Sequence, residues 1–253
     1  AQQIWGMGLL EAIDEETILS LQDPNDNNND GISGRINFSI DSEGNYRMGR
    51  FGYKASKYSL KQHIASALNT DMGVTTELYP SIDYSPISGE EPYLSNEYLD
   101  HLYRYIALLA LTPQRDFENP DVIEGEQIFN NISCNACHID NIETGPHHPL
   151  TELRNQRIRP FTDLLLHDMG EGLEDNMGEE NATGREWRTA PLWGIGLVSE
   201  VSEGEEHYLH DGRARTIEEA ILWHGGEAEV SKQNFKALSV SNRNKLITFL
   251  ESL

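Results

Sequence analysis

Both cysteines of the chain lie in one stretch, Ser133-Cys-Asn-Ala-Cys-His-Ile-Asp140, three positions apart and followed at once by a histidine. Three chemistries use that spacing, and each demands different surroundings. A redox disulfide of the thioredoxin kind sits at a strand-to-helix junction, whereas the residues before Cys134, NPDVIEGEQIFNNIS, read as a helix and a short polar turn. A structural zinc site needs four nitrogen or sulfur ligands. This chain has no second cysteine pair, and His147 and His148 are adjacent where a spaced pair is wanted. A covalently attached haem needs only what is present: two thiols for the porphyrin vinyl groups and a histidine for the iron. The motif therefore predicts one c-type haem on Cys134 and Cys137 with His138 as proximal ligand, the free-thiol and zinc readings being its alternatives.

Charge narrows the partners. The 253 residues carry a net charge of −23, which opposes a nucleic-acid backbone or an anionic membrane surface. A basic electron-transfer protein or divalent cations suit that field, although acidity also serves solubility. No run of 18 apolar residues exists, so no membrane span is expected. The chain opens AQQIWGMG, without an initiator Met or a signal peptide, as expected of a processed or partial chain. Haem attachment acts on exported, reduced thiols, which implies a periplasmic or secreted protein.

Hydrophobic periodicity organises the rest. Residues 4–22 read as a helix with Asp14 as an internal cap, and 36–55 as a small hairpin turning at Ser42-Glu43-Gly44-Asn45. A helix is expected over 59–69, and an irregular loop from Tyr79 to Pro92. Ser95 opens a helix on which Leu99, Leu102, Tyr103, Ile106 and Leu109 share a face. TPQRDFENP then separates two units. Asn119-Pro120 starts a helix carrying Gly125 and Phe129 on one face, and Leu246, Phe249, Leu250 and Leu253 form the stripe of a terminal helix. A helix with a small packing residue, then the haem motif, then a terminal amphipathic helix is the order of a class I cytochrome c. The expected fold is mainly α. A class I cytochrome c-like helical domain over 116–253 follows a helical, loop-rich region over 1–115 with a small β-hairpin.

A six-coordinate iron needs a second ligand from downstream. Candidates are His167, Met169, Met177, His207, His210 and His224. In TIEEAILWHGG, Thr216 and Glu219 form a capping box and Gly225-Gly226 a stop, so Ile217, Ala220, Ile221 and His224 make one apolar stripe ending in an imidazole. That places His224 first and Met169 second, with a hydrogen-bonded core histidine as the alternative to ligation.

EWRTAPLWGIGLVSE and HYLHDGRARTIEEAILWHGG resemble the C-terminal half of bacterial di-haem cytochrome c peroxidases. GMGLLEAI (6–13), GRFGYKA, DMGVTT, LLLHDMGEGL and LHDGRARTIEEAILWHGGEA resemble, more narrowly, the di-haem oxidoreductase family labelled thiol oxidoreductases, over essentially the whole chain. The resemblance implies a periplasmic or secreted haem protein of two cytochrome-like units. It matches Cys134, Cys137 and His138 to the C-terminal haem site and His210 to a residue near that haem. It also matches His224 to the distal ligand, usually methionine in the peroxidases; histidine there implies a lower-potential iron. The family carries two Cys-x-x-Cys-His motifs and this chain one. The amino-terminal haem unit is thus expected to be missing or on another chain, packing against residues 1–115. GEEHYLHDG lacks the Thr-x-Pro of the peroxidases, which puts their inter-haem calcium in doubt.

The loop DNNNDGISGRIN places Asp26, Asn28 and Asp30 at positions 1, 3 and 5 of a calcium loop, Gly31 at 6 and the Ile32 carbonyl at 7. Asn37 stands at position 12 where a glutamate is expected, so Asp23 or distant oxygens would have to complete the site; the alternative is an Asx-rich turn. Its distance in sequence from the haem motif suggests a structural role. Three functions compete. The first is the electron-transfer half of a di-haem oxidoreductase, with any peroxidase-type turnover at a second haem on another chain. The second is a cytochrome-fold binding module without turnover. The third, thiol chemistry at Cys134 and Cys137, fails if thioether bonds consume both sulfurs.

Overall fold

Asp14 divides the first expected helix in two. In the computed structural model, which describes residues 3–82 and 92–253, α1 spans Met7–Glu11 and α2 spans Glu15–Leu21, with Asp14 extended between them (ψ 143°). Buried Arg50 ends α1: its Nη1 donates to the carbonyls of Leu10, Glu11 and Ile13, which a helix C-terminus leaves without partners. Glu15 and Glu16 then sit in the first turn of α2, where the helix dipole favours negative charge.

The hairpin forms as its turn residues require. Strands β1 (Phe38–Ile40) and β2 (Tyr46–Met48) pair antiparallel, Ser39 opposite Arg47. The Asp41 carboxylate accepts from the backbone N–H of Glu43 and Asn45 and from Arg47 Nε. Helix α3 (Leu60–Met72) starts where the Ser59 hydroxyl accepts from Gln62 N–H, and stops at Gly73. Helix α4 spans Asn96–Ala107. Most of the loop expected from Tyr79 to Pro92 lies outside the described residues.

The second half is helix-rich with short ribbons. Helix α5 runs Pro120–Asn131, and the Asn119 side chain accepts from Asp121 N–H. Strand β3 (Ile142–Glu143) pairs with β4 (Arg157–Ile158), and β5 (Leu166–Asp168) with β6 (Glu186–Arg188), both antiparallel. Helices α6 (Val198–Val201), α7 (Ile217–Trp223), α8 (Glu229–Ala237) and α9 (Val240–Ser252) complete the described chain. The fold is thus mainly helical, with three two-stranded sheets among the described residues. No helix there is long and apolar enough to cross a membrane.

Two cores result. One gathers α1 to α4, the hairpin, and Ile142, Leu153, Ile158, Leu164, Leu165 and Trp193. The other is built on α5, α7, α8 and α9, with Phe129, Phe161 and Phe249 packed edge to face at 5.5–6.0 Å between ring centres. Helices α5 and α9 touch at Gly125, where an added Cβ would lie 2.1 Å from the Lys245 carbonyl oxygen and 2.7 Å from Phe249 Cβ. The backbones approach so closely that no side chain fits. Gly125→Ala should therefore force the helices apart and cost ~1–3 kcal/mol, lowering the melting temperature by about 2–4 °C for each kcal/mol in a chain of this size. A melt identical to wild type would contradict this crossing.

Candidate haem site

The Cys-x-x-Cys-His segment is aimed by backbone geometry. Ser133 leaves α5 in the left-handed region (φ 67°), and Cys134–Ala136 make one 3₁₀ turn. Residues three apart eclipse one another in such a turn, so Cys134 and Cys137 face the same way. Both line a cavity of about 730 Å³ between the two cores, a volume suited to a large ligand. His138, Met169, His210 and His224 line it too. The fold thus gathers every haem-site candidate named from sequence except Met177 around one cavity, although up to 90 residues separate them.

Two imidazoles are prepared alike. His138 Nδ1 lies 2.8 Å from the Phe161 carbonyl, and His224 Nδ1 lies 2.8 Å from the Ala220 carbonyl. A carbonyl only accepts, so each Nδ1 carries the proton and each Nε2 presents a lone pair. Among the described residues neither Nε2 has a hydrogen-bond partner, and neither ranks as a sealed, unsatisfied atom, because both open on the cavity. Burial pulls His138 down to about 4, against the opposing bond to Phe161, and burial lowers His224 as well. Both rings are neutral at pH 7, the state a metal ligand requires. His224 is not the last helical residue its apolar spacing implied. It is the C-cap of α7 (ψ 137°), held over the helix by its N–H to the Ile221 carbonyl and by its Nδ1 bond to the Ala220 carbonyl. The capping box forms with a shift: Thr216 Oγ1 accepts from Glu219 N–H, while the Glu219 carboxylate reaches Arg215 N–H.

The other candidates have other engagements. His210 stacks on Trp187 with ring centres 3.6 Å apart and planes 10° from parallel. Met169 is half-buried on the wall, its N–H donating to the Arg185 carbonyl. Met177 is 69% exposed and does not line the cavity. His207 contacts the Gly212 carbonyl and Glu205.

His167 has a role that sequence spacing did not suggest. Its Nε2 lies 2.9 Å from Asp163 and its Nδ1 2.7 Å from Glu227. Both nitrogens therefore donate, and the ring is an imidazolium. Burial pulls its pKa down, but the bonds to Asp163, Cys137 and Glu227 outweigh that and raise it to about 12. Glu227 also accepts from Ser33 N–H and Oγ, at 3.0 and 2.7 Å. No periodicity could reveal this network, because its members come from three stretches of chain far apart in sequence: Ser33, Asp163–His167 and Glu227. It draws the polar loop against the cavity: Ile32 lines the wall, and a Cβ on Gly34 would stand 2.6 Å from the His167 ring. The end of the polar loop, from Ile32 to Gly34, is thus beside the cavity in space despite its distance in sequence.

The thiols sit in the same environment. Burial raises Cys134 to about 12, and the neighbouring Cys137 adds to this; burial raises Cys137 also, opposed by its contact with His167. Reactive thiols need the opposite shift. The donor set fits a c-type haem: an apolar cavity, two thiols on one face of a turn, and two neutral imidazoles with free Nε2 atoms.

The family model described as di-haem oxidoreductase and presumed peroxidase matches residues 1–253. No curated protein matches the chain. Among solved structures, xenon-pressurised hydrazine synthase of Kuenenia stuttgartiensis is similar over 100% of this chain and 89% of that one, at 17% identity and a TM-score of 0.47.

Asp163→Asn should leave the His167 imidazolium with one carboxylate partner and cost about 3–5 kcal/mol, the usual result of breaking a buried pair. The His167 contribution is complete below its ordinary pKa of 6.5 and fades as pH rises toward about 12. The deficit measured by denaturant melts should therefore be larger at pH 6 than at pH 9. A deficit that grows from pH 6 to pH 9 would contradict a charged His167.

Proposed function

Because the chain belongs to the di-haem oxidoreductase family, we propose that it is the electron-relay haem unit of such an enzyme. Cys134 and Cys137 hold one c-type haem, His138 is its proximal ligand and His224 its distal ligand. The observation that carries this reading is the matched preparation of the two imidazoles, each with Nδ1–H tied to a backbone carbonyl and Nε2 open to one cavity. When bound, the haem supplies a one-electron iron couple. The Phe161 and Ala220 carbonyls fix each ring's tautomer and make its free nitrogen more basic. With the Nε2 atoms of both His138 and His224 committed to the iron, the residues would leave no open place for a substrate, and the group would supply electron transfer instead of substrate activation. Imidazole in place of thioether also favours a lower potential.

Residues 116–253 then correspond to a class I cytochrome c-like domain, supported by the α5–α9 crossing at Gly125 and the motif that follows α5. Residues 1–115 form the region that meets a second haem unit. That second haem finds no further cysteines in these 253 residues, so it belongs to another segment or another chain, where peroxidase-type turnover would occur. His210 packs the cavity wall against Trp187 instead of ligating. Attachment chemistry places the protein in the periplasm or outside the cell, and its charge of −23 favours a basic redox partner. Thiol turnover is disfavoured by the burial that raises both cysteines.

Calcium belongs to the same reading, with Asp26, Asn28, Asp30 and the Ile32 carbonyl as ligands. Asn37 supplies nothing: it is fully buried and donates to the Lys54 and Glu179 carbonyls. Asp23 is turned to the N–H groups of Asn27 and Asn28. Chelator should lower the melting temperature by several degrees. No change would leave an Asx turn closed by its own bonds, such as Asp30 N–H to Asp26 at 2.9 Å.

The test of ligation is spectroscopic. His224→Ala should keep the haem attached but turn a low-spin ferric spectrum predominantly high-spin and create affinity for cyanide. Met169→Ala should leave the spectrum unchanged. The reverse pattern, with a thioether-to-iron charge-transfer band in wild type, would remove His224 from the iron.

A further inference from the structure

Arg188 ends β6 on the wall of the haem cavity. Its Nε donates to the Gly52 carbonyl at 2.9 Å and its Nη1 to the Thr189 carbonyl at 3.2 Å. A guanidinium has five N–H groups, so three remain, including both on Nη2, for which the described residues offer no acceptor. No carboxylate lies within ion-pairing distance of Arg188 among those residues, and Arg188 is not among the side chains left with sealed, unsatisfied atoms. The spare donors therefore open on the cavity.

This isolation is unusual on this wall. The cavity is lined by one other permanent cation, Lys232, whose Nζ is paired with Glu229 at 2.5 Å. Imidazolium His167 is enclosed by Asp163 and Glu227. Burying a guanidinium without a counter-ion is costly, and burial does hold Arg188 down, to about 10. The negative charge of Asp163 offsets part of that cost from a distance, and an anion on the occupant of the cavity would offset more. Two backbone carbonyls meanwhile hold the guanidinium in one orientation, so its free edge is set for the two oxygens of a carboxylate.

We infer that Arg188 binds a propionate of the haem. The inference rests on the reading given under Proposed function. Thioether bonds at Cys134 and Cys137 fix the vinyl edge of a c-type haem, which leaves its two carboxylates to be met by some other part of the wall. Among the described residues Arg188 is the one permanent cation lining the cavity that has no ion-pair partner. It is a positioning residue, and it also sets potential: a positive charge beside the ring disfavours the ferric state.

The test uses exported, haem-loaded protein. Arg188→Gln should retain covalent haem and the low-spin spectrum, while its ferric–ferrous equilibrium shifts toward ferric by about tenfold, a fall of about 59 mV for a one-electron couple. Arg188→Lys, which keeps the charge, should restore most of that shift. A midpoint potential unmoved in Arg188→Gln would overturn the inference while leaving the axial ligands untouched. Loss of the low-spin spectrum in wild type would instead refute the ligand assignment. Should Arg188→Gln fail to fold, a crystal structure of loaded wild type decides. Guanidinium nitrogen within about 2.7–2.9 Å of a propionate oxygen supports the inference, and propionates beyond hydrogen-bond reach of Arg188 overturn it.

Discussion

An imidazole can hold a metal only through a nitrogen that carries no proton. In this chain main-chain carbonyls impose that condition on two histidines at once. Phe161 and Ala220 each take the Nδ1 proton of a ring buried deeply enough to stay neutral. Neither carbonyl is there by accident of packing alone. Phe161 adopts a positive φ of 52° while its ring joins the edge-to-face cluster with Phe129 and Phe249. Ala220 belongs to a helix whose start is capped by Thr216. Local structure thus selects the tautomer, and the tautomer selects the chemistry.

The cavity between those rings depends on two kinds of packing. On one side α5 and α9 cross at a distance only Gly125 allows, which anchors the turn bearing both cysteines. On the other, a buried ionic chain from Asp163 through His167 to Glu227 and Ser33 pins the polar loop to the wall. An apolar core could close that side more cheaply, since buried ions lose their hydration. The charged chain instead leaves a stiff, polar seam beside Cys137, whose sulfur lies 3.7 Å from His167. Charge on this wall is therefore balanced residue by residue, with Arg188 the exception.

Much of this was legible in the sequence where the signal is local. Capping residues at Asn119 and Thr216 begin α5 and α7 as their chemistry requires, and the hairpin turns between Asp41 and Asn45. Gly125 and the Leu246–Leu253 stripe announced the α5–α9 contact because both follow helical periodicity. Misreadings arose where a tertiary contact overrides the pattern. Residues 4–22 carry a helical pattern, but Arg50, from a distant loop, takes the carbonyls that would continue α1. His224 fits the stripe of α7 yet lies one residue past the helix. Sequence distance likewise gives no sign of the Ser33–Glu227 link across 194 positions, which brings the end of the polar loop to the cavity.

The most direct measurement of the central claim is the intact mass of exported protein, read beside a denaturing gel stained for haem. One covalent haem on Cys134 and Cys137 should raise the mass above the bare polypeptide by one haem, with haem stain surviving denaturation at the same band. A mass equal to the bare 28.6 kDa polypeptide, from protein matured where haem is attached, would contradict that attachment.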